Sequence, residues 1–323
     1  VLANISVDLD NLWAYQRAAK IDGWEENPSY LPLVIPRIIK HLAVADLTAT
    51  IFVVARDLES QTNFDAIRQF SHAGHELANH SYEHEPWLQT FDETRLTREI
   101  TLAGEKIAEV SGISPIGFRG PGFSDSPLVH RMLAEQGYRY VASSFPSCIG
   151  PVARAFYLAK TGLKGGSRDP KRSAMFGNFR DVFQRNRPHR IHTDKRLWMF
   201  PVTVQPMTRL PFHFTYLFYL SQFSPAIARM YFRVSLGLCN LFRVSPSMLL
   251  HPTDFLSHHE EPSLAFFPGM KMRLPEKLRQ LQWFLDYVSA RFEVVSMNTH
   301  WQTLSGEPLP IKLPSRQRPQ HET

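Results

Sequence analysis

A chain of 323 residues is too long for a minimal domain; it fits one large α/β domain with an insertion, or two domains. Its 43% hydrophobic and 20% charged residues describe a globular protein with a sizeable core, and two cysteines, Cys148 and Cys239, exclude a disulfide framework and a thiolate metal site. The net charge of +6 hides an asymmetry: residues 151–253 carry 16 Lys/Arg against Asp169, Asp181 and Asp194, and no acid stands between Asp194 and Asp254. A basic stretch of this kind suits an anionic partner, such as a membrane surface or a phosphorylated substrate, or else is an ordinary solvated face. The cysteine usage fits a reducing compartment, so the expected location is cytoplasmic, with association to a membrane. The chain opens on Val1, and its start is not informative about a leader.

The N-terminal half alternates strand and helix signals. "LANISVDLD" is a short apolar run ending in acids and reads as a buried strand. Residues 31–45 have apolar positions at helical spacing, 49–55 form a β-branched strand, and 63–74 form a helix closed by Gly74. "HELANH" (75–80) is the next strand. Residues 92–112 form a long amphipathic helix between a capping Asp92 and Gly112. "PIGFRG" is a strand and loop, 126–137 a helix with Ser126 as N-cap and Pro127 in its first turn, and "YRYVAS" a strand. Such alternation predicts a parallel sheet or barrel.

Residues 151–192 are basic, hold Gly and Pro, and read as long loops or an insertion. Strand character returns at "RLWMFPVTV" (196–204). Residues 210–244 are dense in aromatics, and Leu210 to Ala228 lacks any charge. Pro211, Pro225 and interspersed polar residues argue against a membrane-crossing helix. "SMLLHPTDF" (247–255) is a strand running into a loop, 273–292 a helix, and "EVVSM" a last strand. The tail after Leu309 is polar and Pro-rich, and is expected to be disordered.

Parallel α/β folds carry their sites at the C-terminal ends of strands. Four stretches fall there: "SVDLDN" with Asp8 and Asp10, "HSYEH" with His80 and His84, "FRGPGF" from Arg119 to Phe123, and "LLHP" with His251. One carboxylate and two imidazoles make three protein ligands and leave a position open, as in a catalytic zinc site. A second carboxylate can then act as base. Taken singly, each stretch has an ordinary explanation: a strand-end turn for Asp8 and Asp10, a solvated face for the two histidines, a surface arginine beside a Gly-Pro turn, a core histidine at His251. "SHHEE" (257–261) reads as a solvated loop, and His72 and His75 as structural.

In order and spacing, "DLD", "GHELANHSYEH", "FRGPGF" and "LLHP" resemble the first, second, third and fifth motifs of the polysaccharide deacetylase family, the NodB-homology or carbohydrate esterase family 4 domain. The likeness spans about residues 4–146 and 196–304. It implies an α/β fold, a distorted (β/α)7-type barrel with a basic, aromatic-rich insertion. The barrel would take its N-terminal part from 1–150 and its C-terminal part from 196–309, the latter including an aromatic cap at 210–244. The insertion at 151–195 and the tail at 310–323 would lie outside it. Position by position, the resemblance implies Asp8 as catalytic base, Asp10, His80 and His84 as metal ligands, and Arg119 as the residue that orients the base. It also implies His251 as general acid, Pro121, Gly122 and Phe123 as groove-shaping residues, and Leu249 or Leu250, with Trp198, as pocket walls. The implied cofactor is one divalent cation, zinc first, with cobalt, nickel or manganese as alternatives.

The sequence departs from the family twice. Leu9 separates two aspartates that are usually adjacent, a spaced form also found among family enzymes acting on lipid-linked aminosugars, peptidoglycan or small amides. The fourth motif retains Trp198 but lacks its acid, leaving Asp254 as the nearest carboxylate to tune His251.

The expected activity is metal-dependent hydrolysis of an N-acyl, chiefly N-acetyl, amide on a sugar or glycan. The alternatives are a deacetylase or deformylase of a polyprenyl-phosphate-linked aminosugar, and a non-catalytic glycan- or membrane-binding module. A nucleic-acid partner is not expected, since the aromatics of 210–244 interleave with few basic residues. Those rings, Phe212, Phe214, Tyr216, Phe218, Tyr219, Tyr231 and Phe232, would either meet an anionic membrane or pack as a small core of their own.

Overall fold

The first apolar run sets the frame. β1 (Leu2–Asp8) is buried along nearly its whole length and is paired in parallel by β2 (Thr50–Val53) and β8 (Ser247–Leu250). A strand covered on both faces carries apolar residues at successive positions, which is why "LANISVD" shows little alternation. The computed structural model describes residues 1–19, 21–149 and 179–307. Residues 151–178 of the insertion expected at 151–195, and the tail expected at 310–323, lie outside the described residues.

Beyond β2 the sheet continues through β3 (Glu76–Asn79), β4 (Gly117–Phe118), β5 (Tyr140–Val141), β7 (Trp198–Met199) and β6 (His189–Arg190). The pairings are parallel except for β6, which runs antiparallel to β7 at the edge. β9 (Glu293–Val294) pairs with the start of β1. The sheet curls into a half-barrel with helices around it, the distorted (β/α) barrel expected from the motifs.

The predicted helices stand where their caps place them. α2 (Leu31–Val44) and α3 (Gln61–His72) pack on the outer face of the sheet. α4 (Glu93–Ser111) begins where Asp92 accepts a hydrogen bond from the Arg95 amide, and ends at Gly112 with φ 74°. α5 (Pro127–Glu135) begins where Ser126 accepts from the Val129 amide. Two helices outside the aromatic segment were not foreseen. α1 (Leu12–Ala19) is only eight residues long and buries Leu12, Trp13 and Ala14. α9 (Met297–Ser305) starts at a Ser296 cap and puts Met297 and Trp301 against the concave face of the sheet, with Phe52, Ala78, Tyr140 and Phe200. Part of the basic segment expected as loop is also ordered as the edge strand β6, too short to show a period.

The aromatic segment folds into α6 (Phe214–Ser221) and α7 (Pro225–Leu241), packed near α8 (Leu274–Ser289). Phe212, Phe214, Phe218 and Phe232 are fully buried, and the last three meet Phe284 of α8 at ring-centroid distances of 4.9 to 6.3 Å. Tyr216 and Tyr231 are half-buried, and Tyr219 is exposed. Of the two readings of these rings, the packed core describes most of them. The reason is geometric: the rings cover the side of α8 that carries Phe284. Truncating Phe232 to Ala is expected to lower stability by about 3–5 kcal/mol. Phe223→Ala, at a position 75% exposed, should change it by no more than about 0.5 kcal/mol. Urea unfolding of both variants checks the contrast.

Candidate active site

Strand register brings the polar residues together. Val7 is level with Leu250, so Asp8 and His251 follow at neighbouring positions at the C-terminal ends of adjacent strands. Asn79 is level with Val53 and Phe118, which sets His80 and Arg119 side by side just beyond β3 and β4. All four therefore leave the same edge of the sheet.

Arg119 is fully buried. Its Nη1 donates to the Asp8 carboxylate at 2.5 Å and to the Ser6 hydroxyl at 3.0 Å, and its Nε donates to the Ala142 carbonyl at 2.8 Å. The guanidinium also lies over the Phe52 ring, 4.2 Å from its centroid. Its Nη2 has no hydrogen-bond partner among the described residues.

The histidines sit on a tight, irregular loop rather than a helix. Ser81 and His84 both hold left-handed backbone, φ 65° and 51°. The Asn79 side chain accepts from the Ser81 amide at 2.7 Å, the Ser81 hydroxyl accepts from the His84 amide at 3.1 Å, and Arg17 of α1 donates to the Glu83 and His84 carbonyls. The Nδ1 of His80 is 2.7 Å from the Arg119 carbonyl. A carbonyl only accepts, so Nδ1 carries the proton and Nε2 presents its lone pair to the site.

Asp10 completes the cluster. Its Oδ1 lies 3.3 Å from Nε2 of His80 and 3.0 Å from Nε2 of His84. Yet this buried oxygen has no partner in hydrogen-bonding geometry. Two metal bonds of ~2.1 Å meeting at a tetrahedral angle put their outer atoms ~3.4 Å apart, close to the spacing seen. Ligand atoms of all three residues lie within 4.8 Å of one another. The orphaned oxygen, the fixed tautomer and the spacing fit a divalent cation. The hydroxyl of Tyr15 donates to Oδ2 of Asp10 at 3.2 Å and the hydroxyl of Tyr30 to its carbonyl at 2.6 Å, which fixes the carboxylate's direction.

The electrostatics agree. Burial pushes the Asp10 carboxyl up, but His84 and His80 beside it outweigh burial and hold it well below the usual range. Burial pulls His80 down, but Asp8 and Asp10 outweigh it, and its pKa is raised. Without a cation, His80 therefore holds a proton more tightly than a free imidazole does.

The other expected site residues divide. Pro121, Gly122 and Phe123 form a short 3-10 turn after Arg119, with left-handed backbone at Gly122 and Phe123. A Cβ on Gly120 would stand 2.0 Å from the Ser124 carbonyl, so only glycine allows this turn to close. Phe123 starts a row of rings: it stacks on Phe145 at 5.2 Å, Phe145 meets His213 at 5.5 Å, and His213 stands 4.6 Å from Tyr216 and 6.4 Å from His251. Leu250 does not reach this wall. It belongs to the helix-side core with Val7, while Leu249 is level with Ser6 and shares the face of Asp8. Strand alternation decides between the two leucines in favour of Leu249. Trp198 is also set apart, packed beside Tyr140, Phe200 and Trp301 inside the curl of the sheet with Arg190 over its ring. The SHHEE loop holds no metal cluster among the described residues; Glu260 pairs with Arg37 at 2.6 Å and His258 meets the Met270 carbonyl. His75 is structural, as expected, with its Nδ1 accepting from the Ala49 amide.

Three neighbours of His251 were not foreseen in these roles. The Thr215 hydroxyl lies 3.3 Å from Nδ1 of His251, and burial holds the Asp254 carboxyl above its usual range. Asp254 accepts from the His251 amide at 2.9 Å, so it fixes the backbone of His251. His213 is buried, and burial, then the charges of His251 and Arg119, push it well below the usual imidazole range. It is a neutral ring in the wall. Thr215 and His213 lie in an apolar stretch whose only signal was its aromatics.

The fold and the site define a NodB-type barrel carrying an Asp-His-His cluster beside an arginine-paired aspartate. Residues 22–141 match the family model described as polysaccharide deacetylase. A relative in Arthroderma benhamiae, named probable peptidoglycan-N-acetylglucosamine deacetylase, is 32% identical over 96 residues, covering 29% of this chain and 22% of that protein. The peptidoglycan deacetylase of Helicobacter pylori is 29% identical over 109 residues, covering 33% of this chain and 35% of that protein. The chain thus matches about a third or less of the length of these curated relatives. Among solved structures, a Mycobacterium smegmatis protein described as a polysaccharide deacetylase superposes with a TM-score of 0.59 at 19% identity, covering 98% of this chain and 95% of that one. A probable polysaccharide deacetylase from Pseudomonas aeruginosa PAO1 gives 0.58 at 16% identity, covering 94% and 90%. An allantoinase gives 0.53 at 16% identity, covering 95% and 91%. At these identities the structural likeness is one of fold.

Asp10→Asn and His84→Ala should each lose most of the divalent metal that the purified protein retains, whereas Asp8→Asn should keep it, as judged by elemental analysis. Metal binding should also release protons. Because the His80 pKa is raised, release should be larger near neutral pH than at a pH well above that raised value, where the ring is already deprotonated. Titration in weak buffer with a pH indicator reads this directly.

Proposed function

We propose that the protein hydrolyses the N-acetyl amide of a sugar within a glycan. The observation that carries this reading is the meeting, at one sheet edge, of the Asp10–His80–His84 cluster, the Arg119-paired Asp8 and His251. Zinc is the cation we assign to the cluster, where it would supply a Lewis acid and lower the pKa of water to ~7.

The chain's own residues account for the proton traffic. Asp8, held in place by Arg119, takes the proton from the attacking water. Addition to the acetyl carbonyl and collapse break the C–N bond and leave acetate. The departing nitrogen needs a proton, and His251, on the strand beside Asp8, gives it. The Thr215 hydroxyl at Nδ1 holds the His251 ring. Along the row from Phe123 to Tyr216, flat rings offer a sugar an apolar face, with Leu249 as the inner wall that we assign to the acetyl methyl. The deacetylase names of the sequence relatives support the substrate class. A lipid-linked aminosugar would use the same chemistry with a different anchor. A binding module without activity would not be expected to keep base, ligands and acid together.

Zinc-loaded protein should release acetate from N-acetylglucosamine oligomers or peptidoglycan fragments, and chelation should stop it. Absence of acetate from every N-acetylated glycan offered to the metal-loaded protein would overturn the proposal. Asp8→Asn should abolish turnover, and His251→Ala should lower kcat by ~10²–10⁴. Thr215→Val should lower kcat with KM little changed, and Thr215→Ser should restore most of it. Equal loss in both Thr215 variants would exclude a role for the hydroxyl.

A further inference from the structure

Helix α7 is apolar on two opposite faces. One is accounted for: Ala228, Phe232, Leu236 and Cys239 are buried in the core. The other faces outward. Ile227, Met230, Val234 and Leu241 recur at helical spacing, and are 54%, 60%, 50% and 73% exposed. Phe223, in the turn before the helix, continues the stripe at 75% exposure. Single exposed apolar residues are common, whereas a continuous stripe of large ones marks a contact surface.

The charges beside the stripe indicate what it contacts. Arg229 and Arg233 flank it on one side, held over the rings of Trp283 and Tyr287 at 4.8 to 5.7 Å. An open cleft between the start of α7 and the start of α8 is lined by Arg229, Lys271, Arg273 and Arg279, against the single acid Glu276. No acid occurs anywhere from residue 195 to 253. A second copy docked through this face about a twofold axis would set the basic flank close to its own duplicate. An anionic bilayer satisfies both parts at once, headgroup phosphates against the cations and acyl chains against the stripe. Among the described residues no helix is long and apolar enough to cross a membrane.

We propose that the outer face of α7, with the basic cleft beside it, seats the protein on the surface of an anionic lipid bilayer. α7 lies along the bilayer with Ile227, Met230 and Val234 dipping below the headgroups and Lys271 and Arg279 at phosphate level. This docking does not depend on the hydrolase reading of the active site.

The test is co-flotation of the full chain with vesicles of phosphatidylcholine alone or mixed with phosphatidylglycerol. Binding is expected to the mixed vesicles at low salt, to fall as salt rises, and to be absent with phosphatidylcholine alone. The triple variant Ile227→Ser, Met230→Ser, Val234→Ser should lower partitioning by at least about tenfold, since each loses buried hydrocarbon. Lys271→Ala and Arg279→Ala should each lower it by about fivefold. Thermal unfolding of each variant verifies that it is folded, and none touches the residues assigned to catalysis. No binding to mixed vesicles, equal binding to both kinds, or variants that bind like the parent would overturn the proposal. So would a dimer that the triple variant dissociates in the absence of lipid, which would assign the stripe to self-association.

Discussion

A guanidinium with no access to water holds this site together. Removing an isolated charge from water costs far more than one hydrogen bond returns. The position of Arg119 is tolerable only because Asp8 meets it at 2.5 Å while Ser6 and Ala142 take further donors. These contacts tie β1, β4 and the end of β5 to one point. They also fix which oxygen of Asp8 is engaged: Arg119 occupies Oδ1, and Oδ2 faces His80 at 4.0 Å. The oxygen left toward the cluster is the one that can accept a proton.

The same reckoning extends to Asp10. Two buried carboxylates stand against one buried guanidinium, which leaves the pocket short of positive charge. In the absence of a cation the proton on His80 makes up the difference, as its raised pKa reflects. A divalent ion meets the shortage more fully and gives Asp10 Oδ1 the partner it otherwise lacks. The charge balance of the pocket thus favours a divalent cation at the same place where the three candidate ligands converge.

Much of this was legible in the sequence, and the boundary of what was legible is physical. Asp92, Gly112, Ser126 and Pro127 marked helix ends because caps are local chemistry. The Asp and His residues stood out because their spacing persists whatever the loop between them does. What could not be read was contact between distant stretches. Thr215 meets His251 across 36 residues, and nothing local to "FTYLF" points to that hydroxyl. The segment of α7 carries large apolar residues on two faces, so its sequence read as aromatic-rich and the split between buried and exposed sides could not be seen. The choice between Leu249 and Leu250 needed the register of β8 on β1, since one residue of slip exchanges the two faces. The eight-residue helix α1 was too short to be read, although its Arg17 anchors the histidine loop.

The loop carrying His80 and His84 is held by groups that are not metal ligands. Its two left-handed, non-glycine residues are strained on their own, and Asn79, Ser81 and Arg17 impose that shape from the sheet and from α1. The shape of the loop therefore does not depend on an ion: the groups that hold it belong to the sheet, to the loop itself and to α1. A cation held by Asp10, His80 and His84 would then add to the stability of the folded chain in proportion to its binding, without being needed to create the loop's shape.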